Sequence, residues 1–144
     1  NRLEEAPVTE GVADLRKELQ NIMQNHFGVF RKGDFMRDGI ELLKALRPRI
    51  EAAGVEDKTR AFNTARIEAL ELQNLFEVAE ATAISAEVRT ESRGAHARDD
   101  YQERDDENWL CHSLYFPQEQ RVGKRDVNFT PKTMDTFQPK IRTY

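Results

Sequence analysis

Arginines, carboxylates and one imidazole crowd into positions 89 to 109, which read RTESRGAHARDDYQERDDENW. Residues of these types hold metals, move protons or bind charged partners. His96 with Asp99 and Asp100 has the composition of a ligand set, since neutral imidazole and carboxylates both coordinate divalent ions. Arg93, Arg98 and Arg104 interleave with them, and fixed positive charge competes with a cation, so ion pairing is the better account. Asp105 and Asp106 are of the type that does general acid–base work, yet adjacent acids in ERDDEN more often cap a turn or engage arginine. Cys111, His112 and Ser113 are consecutive. Neighbours on a strand point to opposite faces, so this thiol and imidazole cannot meet as an activated pair. No glycine-rich loop follows a strand to cradle a phosphate. His26 closes a helical stretch, where its charge would complement the helix dipole, and no second His or Cys stands at ligand spacing.

What remains is SRGAH. Gly94 after Arg93 suits a position where the backbone turns with positive φ or approaches another chain closely. The planar fork of arginine offers a two-point contact to a carboxylate or to carbonyls. The stretch reads as a docking element stiffened by its own acids, or else as a solvated charged loop.

The elements that must position this loop are helical. From Thr9, a plausible N-cap, Val12, Leu15, Leu19, Ile22, Met23 and Phe27 recur at steps of three and four, and Gly28 is the natural stop. A second period runs through Met36, Ile40, Leu43, Leu46 and Ile50. Pro48 interrupts it and predicts either a kink or a fresh turn before Gly54. A third, longest helix is expected from a cap at Asn63 or Thr64 to about Arg89, free of Gly and Pro. Ala65, Ala69, Leu72, Phe76, Ala79, Ala83 and Ala86 form one apolar stripe on it. Ile67, Leu70, Asn74, Val78, Ala81, Ser85 and Val88 form a second, which either the first two helices wrap or another body covers.

The expected fold is therefore mainly α: an antiparallel three-helix bundle, spectrin-repeat-like, over residues 9–90, preceded by a linker at 1–8. Residues 91–144 supply the polar docking loop, a short hairpin and an extended C-terminal tail. The hairpin is expected between LCHSLYF and RDVNFT, with QRVGKR as the turn. Pro131 and Pro139 keep the tail extended.

Composition narrows the function classes. The chain has 144 residues, 38% of them hydrophobic and 33% charged, with a formal net charge of -4. That is enough apolar material for one core and too little net charge for disorder or a nucleic-acid partner. Arg121, Lys124, Arg125, Lys132, Lys140 and Arg142 make the end basic, suited to an acidic surface or to water. The single cysteine, Cys111, rules out an internal disulfide and a cysteine-based zinc cluster and suits a reducing compartment. No apolar run approaches a membrane span, and the opening residues, beginning at Asn1, have linker composition, as in a piece of something longer.

RTESRGAHARDDYQERDDENWLCHSLYFP and the ending PKIRTY, with IMQNHFGVFRKGD and LELQNLFEVAEATAISAEVRTESRG upstream, closely resemble the C-terminal domain of the succinate dehydrogenase/fumarate reductase flavoprotein family. The resemblance covers the chain from about Leu15 onward. A similar ESRG loop occurs in fumarate reductase flavoproteins and in L-aspartate oxidase. The short RDDENW link and terminal Arg-Thr-Tyr resemble the bacterial dehydrogenases.

The resemblance implies that an intact subunit oxidises succinate to fumarate with a covalent FAD and passes electrons through an iron–sulfur subunit to quinone. Its flavin-binding and substrate-binding residues lie N-terminal to this segment, so no catalytic, cofactor or metal residue is assigned here. The isolated chain is expected to be inactive and to bind no FAD. The implied partners are the subunit's own flavin domain, the iron–sulfur subunit, membrane-anchor subunits indirectly, and a flavin-attachment assembly factor, on the cytoplasmic face of a bacterial inner membrane. Arg93, Gly94, His96, Arg98, Arg104, Asp105 and Asp106 are then an interdomain seam, and Arg142 and Tyr144 end a tail that supports flavin attachment. The rivals are a fumarate reductase flavoprotein and a stand-alone helical interaction module.

Overall fold

The computed structural model describes residues 2–6 and 10–140. In chain order these form α1 (Arg2–Glu5), α2 (Val12–Phe27), β1 (Phe30–Arg31), α3 (Gly33–Ala52), α4 (Thr64–Val88), β2 (Ala97–Arg98), α5 (Asp106–Trp109), β3 (Cys111–Phe116) and β4 (Arg121–Asp126). The helices α2, α3 and α4 pack pairwise into the expected bundle.

The apolar periods of the sequence become the core. Leu15, Leu19, Ile22 and Phe27 of α2 meet Met36, Leu43, Leu46 and Ile50 of α3 and Leu72, Phe76, Ala79, Ala83 and Ala86 of α4. Each large side chain so buried contributes about 1.5–3 kcal/mol. Alanines on α4 let its neighbours approach closely. Gly39 does the same for α3: a Cβ there would lie 2.5 Å from the His26 Cβ and 2.6 Å from the Phe27 ring, so the α2–α3 crossing requires a residue without one.

Caps explain the boundaries. Asn63 accepts the Arg66 N–H at 2.8 Å and donates its amide to the carbonyls of Asp57 and Thr59, which fixes the start of α4. The α2 helix begins later than the sequence suggested, at Val12, with the Gly11 carbonyl accepting from Asp14 and Leu15; Thr9 lies outside the described residues. Gly28 caps α2 in an extended conformation, where a Cβ would lie 2.8 Å from the Gln24 carbonyl oxygen, so the position requires a residue without one. The α3 helix continues through Pro48 to Ala52 and begins no fresh turn. Pro48 is exposed, so water can reach the carbonyl its missing N–H leaves unserved.

Two further expectations are corrected. Residues 2–5, expected to be linker, form a helical turn whose Leu3 is buried against Val55 and Ala69, and the Val55 N–H donates to the Leu3 carbonyl at 3.2 Å. The hairpin pairs β3 with Arg121–Asp126, not with RDVNFT, so the turn is Pro117–Gln120. Pro117 cannot donate to a ladder and so ends the first strand. The polar second strand is tolerated because its cations lie on aromatic rings: Arg121 over Phe116 at 4.2 Å and Lys124 over Trp109 at 3.7 Å.

The hairpin is fastened to the bundle by Tyr115, whose hydroxyl donates to the buried Glu80 at 2.9 Å. Glu80 in turn accepts from Arg47, which lies over the Phe76 ring. Beyond the hairpin, residues 127–140 form no helix or strand and run along the outside, with Met134 and Phe137 exposed. The second stripe of α4 is not wrapped by α2 and α3, since Ile67, Leu70, Val78 and Val88 all remain exposed.

Candidate functional site

The charged loop grows out of the end of α4. A helix leaves its last carbonyls without partners, and here Arg98 supplies them. Its Nη1 donates to the carbonyls of Ala86, Glu87 and Arg89 at 3.4, 2.9 and 3.3 Å, while Nε and Nη2 form a fork with Asp100 at 2.7 and 2.8 Å. Asp100 also accepts the Gly33 N–H at 3.0 Å, at the start of α3. One ion pair thus joins the negative end of one helix dipole to the positive end of another. The fork to Arg98 chiefly, with the Gly33 N–H, holds the Asp100 carboxyl far below its ordinary range.

Arg89, Glu91 and Arg93 alternate, which on an extended segment places them on one side. Glu91 is 0% exposed. It accepts from Arg89, from Nε and Nη2 of Arg93 at 2.8 and 3.0 Å, and from the Asp105 N–H at 2.9 Å. Burial pushes its pKa up, but Arg93, the Asp105 N–H and Arg89 outweigh that and leave it below its ordinary value. Arg89 also donates to the carbonyls of Trp109 and Cys111, and its guanidinium lies 5.1 Å from the centre of the Trp109 ring. Trp109 in turn donates its indole N–H to Thr90 at 3.1 Å.

The tip is a tight turn closed by Arg93 N–H to His96 O at 2.8 Å and His96 N–H to Arg93 O at 3.0 Å. Gly94 has φ +58°, as its sequence context suggested, with open space where a side chain would be. Asp106 accepts from Arg93 at 2.6 Å and from Arg104 at 2.8 Å, and Arg104 also donates to the Lys140 carbonyl, pinning the tail. Asp105 caps α5 by accepting the Asn108 N–H at 2.9 Å.

His96 connects the tip to β1. Its Nε2 faces the Arg89 carbonyl at 3.1 Å and its Nδ1 faces Arg31 Nη1 at 2.8 Å. A carbonyl only accepts and a guanidinium only donates, which assigns the neutral tautomer with the proton on Nε2. Burial, with the charges of Arg31, Arg98 and Arg89, lowers its pKa in keeping with that tautomer. The parallel pairing of β1 with β2, Phe30 beside Ala97 and Arg31 beside Arg98, fixes this register.

Of the seam residues named from sequence, Arg93, Gly94, His96, Arg98, Arg104, Asp105 and Asp106 come together in one network. Arg98 faces inward, at 3% exposure. Arg142 and Tyr144 lie outside the described residues. Sequence reasoning passed over Glu91, Arg89 and Arg31, and weighed Asp100 only as a metal ligand or an ion-pair partner; the alternation Arg89-Glu91-Arg93 was a usable signal for the first two. Among the described residues no group of three His, Cys, Asp or Glu side chains is placed to hold a metal, and the Cys111 thiol faces the Asn108 carbonyl rather than a base. The network leaves a cleft of about 640 Å³ beside it, lined by Phe30, Gly94, Ala97, Arg104 and Pro139 among others.

A helical bundle whose charged loop is neutralised within itself, and whose longest helix keeps an outer apolar stripe, has the make-up of a domain that packs on a larger body. The family model described as fumarate reductase flavoprotein C-term matches residues 16–144, and the chain belongs to that family. It is 52% identical over 98% of its length to the succinate dehydrogenase flavoprotein subunit of Coxiella burnetii, of which it covers 24%. It is 36% identical over 94% of its length to a fumarate reductase flavoprotein subunit of Mycobacterium tuberculosis, of which it covers 23%. Its fold matches E. coli quinol fumarate reductase FrdA with a TM-score of 0.81 and 32% identity, over 93% of this chain and 23% of that one. The chain therefore spans about a quarter of the length of these relatives.

Proposed function

We propose that this chain is the C-terminal domain of a succinate dehydrogenase flavoprotein subunit. The longer polypeptide would oxidise succinate to fumarate on a covalently held FAD and pass electrons through an iron–sulfur subunit to quinone. The observation that carries this reading is the 52% identity over 98% of the chain to a subunit of that name. The reductase direction is the second reading, supported by relatives named fumarate reductase at 36% identity. Assaying the intact complex in both directions with matched quinones separates the two.

The domain's own role in that subunit is to buttress it. Its described residues do not fit FAD: the sheets are the two-residue β1–β2 pair and the β3–β4 hairpin, with no strand–glycine loop–helix unit to cradle a pyrophosphate. The flavin belongs to the rest of the polypeptide. The outer stripe of α4 and the seam of Arg93, Gly94, His96 and Arg104 face that flavin domain, while Arg98, Asp105 and Asp106 hold the seam in shape from within. The tail, with Arg142 and Tyr144 outside the described residues, supports flavin attachment, in which an assembly factor acts.

No helix among the described residues is long and apolar enough to cross a membrane. Attachment is peripheral, through anchor subunits on the cytoplasmic face of a bacterial inner membrane. In the complete subunit, Arg93→Ala lowers flavin incorporation and leaves helix content unchanged; normal flavin loading in that variant rejects the seam. Val78→Asp, which places a charge on the outer stripe of α4 without touching the core, should likewise impair assembly.

A further inference from the structure

Among the described residues, Arg31 is a cation without a counter-charge. In the neighbouring loop Arg89 and Arg93 share Glu91, Arg98 has Asp100 and Arg104 has Asp106. Arg31 is half-buried, yet among the described residues it forms no ion pair. Its Nε donates to the Gly28 carbonyl at 3.2 Å and its Nη1 to His96 Nδ1 at 2.8 Å. Both acceptors are neutral. Desolvation lowers the guanidinium's pKa, as it must for a cation withdrawn from water without a counter-charge. A partly buried charge is retained at such a position when something supplies the opposite sign.

Its surroundings have the make-up of a contact surface. Val29 and Phe30, directly before it, are 70% and 77% exposed. Phe30 lines the cleft of about 640 Å³, with the exposed Gly94 and the half-buried Ala97, its strand partner, also on the lining. A large exposed aromatic next to a desolvated arginine, ringed by polar side chains, is the pattern of an interface hot spot. Two hydrogen bonds, one to the Gly28 carbonyl and one to the His96 ring, fix the guanidinium in advance, so little side-chain entropy is lost when it meets a partner.

We infer that Arg31 is the anchor for a carboxylate on the surface that covers this domain, with Phe30 seated beside it in an apolar recess. The occupant is the remainder of the same polypeptide: this chain covers 24% of the Coxiella burnetii subunit, so most of such a relative lies outside it. Charge sets the chemistry: the covering surface presents an aspartate or glutamate where Arg31 lacks one. The inference rests on the proposed docking of this domain against the flavin domain, and it names one contact within it.

The test uses the complete subunit carrying Arg31→Lys, Arg31→Gln or Arg31→Glu, with Val78→Asp as an independent probe of docking. Hydrogen exchange over residues 28–31 and along the outer face of α4 reads how often the domain lifts off. The Gln variant should open at least about 30-fold more often, the lower end for truncating one partner of a buried charge pair. The Lys variant should open less than the Gln variant, and the Glu variant more, because it repels the partner carboxylate. The Glu test separates docking from a purely internal role, since Arg89 and Arg98 near His96 would favour a carboxylate within the isolated loop. A photo-crosslinker replacing Phe30 should map next to an Asp or Glu of the flavin domain.

A Glu variant that opens no more than the Gln variant overturns the anchor. If Val78→Asp opens the α4 face while every Arg31 variant matches the wild type, the anchor fails and the docking stands. If no variant changes exchange anywhere, both fall.

Discussion

Deleting the Glu91 carboxylate is the sharpest test of how the charged loop is held. Glu91→Ala removes the acceptor for Arg89, for two nitrogens of Arg93 and for the Asp105 N–H, at a site with 0% exposure. Neither guanidinium is stranded outright. Arg93 keeps Asp106 at 2.6 Å, and Arg89 keeps the carbonyls of Trp109 and Cys111 at 3.0 and 2.5 Å. The cost therefore falls at the low end for breaking a buried ion pair, about 3 kcal/mol. For a chain near this length a loss of that size lowers Tm by about 6–12 °C.

The pH dependence has a definite sign. The folded-state pKa of Glu91 lies below its ordinary value of 4.5, so its contribution is present above that value and is lost as pH falls through the folded pKa. The gap in Tm between the wild type and Glu91→Gln should be full near neutral pH and should close below 4.5. Thermal unfolding followed by far-UV ellipticity gives Tm. The fluorescence of Trp109, the single tryptophan, reports the loop, because its ring lies against Arg89 and Lys124. An Ala variant melting within about 2 °C of the wild type, or a Gln gap undiminished well below the folded pKa, would refute the reasoning.

Two glycine substitutions should separate packing from backbone strain. Gly39→Ala places a Cβ 2.5 Å from the His26 Cβ and should cost about 1–3 kcal/mol, read as a lower denaturant midpoint. Gly94→Ala meets nothing within 4 Å and should cost only the left-handed penalty, about 1–2 kcal/mol. Tyr115→Phe removes one hydrogen bond to Glu80 and should cost about 1 kcal/mol. Burial and the Glu80 hydrogen bond raise the Tyr115 pKa from 10.0 to about 12, so in an absorbance titration the phenolate that the Phe variant lacks should form near the upper value. Folded Tyr115 keeps its proton where the unfolded chain loses it, so stability falls as pH rises above 10.0, and the Phe variant should lack that part of the loss.

Glu80 illustrates what a single sequence leaves hidden. On α4 it sits among exposed acids such as Glu68, Glu71 and Glu77, and nothing local distinguishes it. It is buried because Arg47 arrives from α3 and Tyr115 from the hairpin. The hairpin register is hidden for a related reason. RDVNFT has the stronger β-propensity, but the pairing was decided by Pro117 ending one strand and by Arg121 and Lys124 lying on Phe116 and Trp109. The position of Arg31 beside His96, separated by 65 residues, has no sequence signature at all.

The amino-acid sequence alone determined the three long helices and their inward faces, as well as the family, and it narrowed the α4 cap to Asn63 or Thr64, Gly94 to a positive φ or a close approach, and Asp105 and Asp106 to capping a turn or engaging arginine. Each of those depends on residues within about a turn of one another, or on a long run of matching letters, and such information is written along the chain. Only the tertiary structure decided which of many similar charges are buried, which strand pairs with which, and that Arg31 meets no carboxylate among the described residues. A charge takes its role from the groups that folding brings to it, and those come from distant parts of the chain.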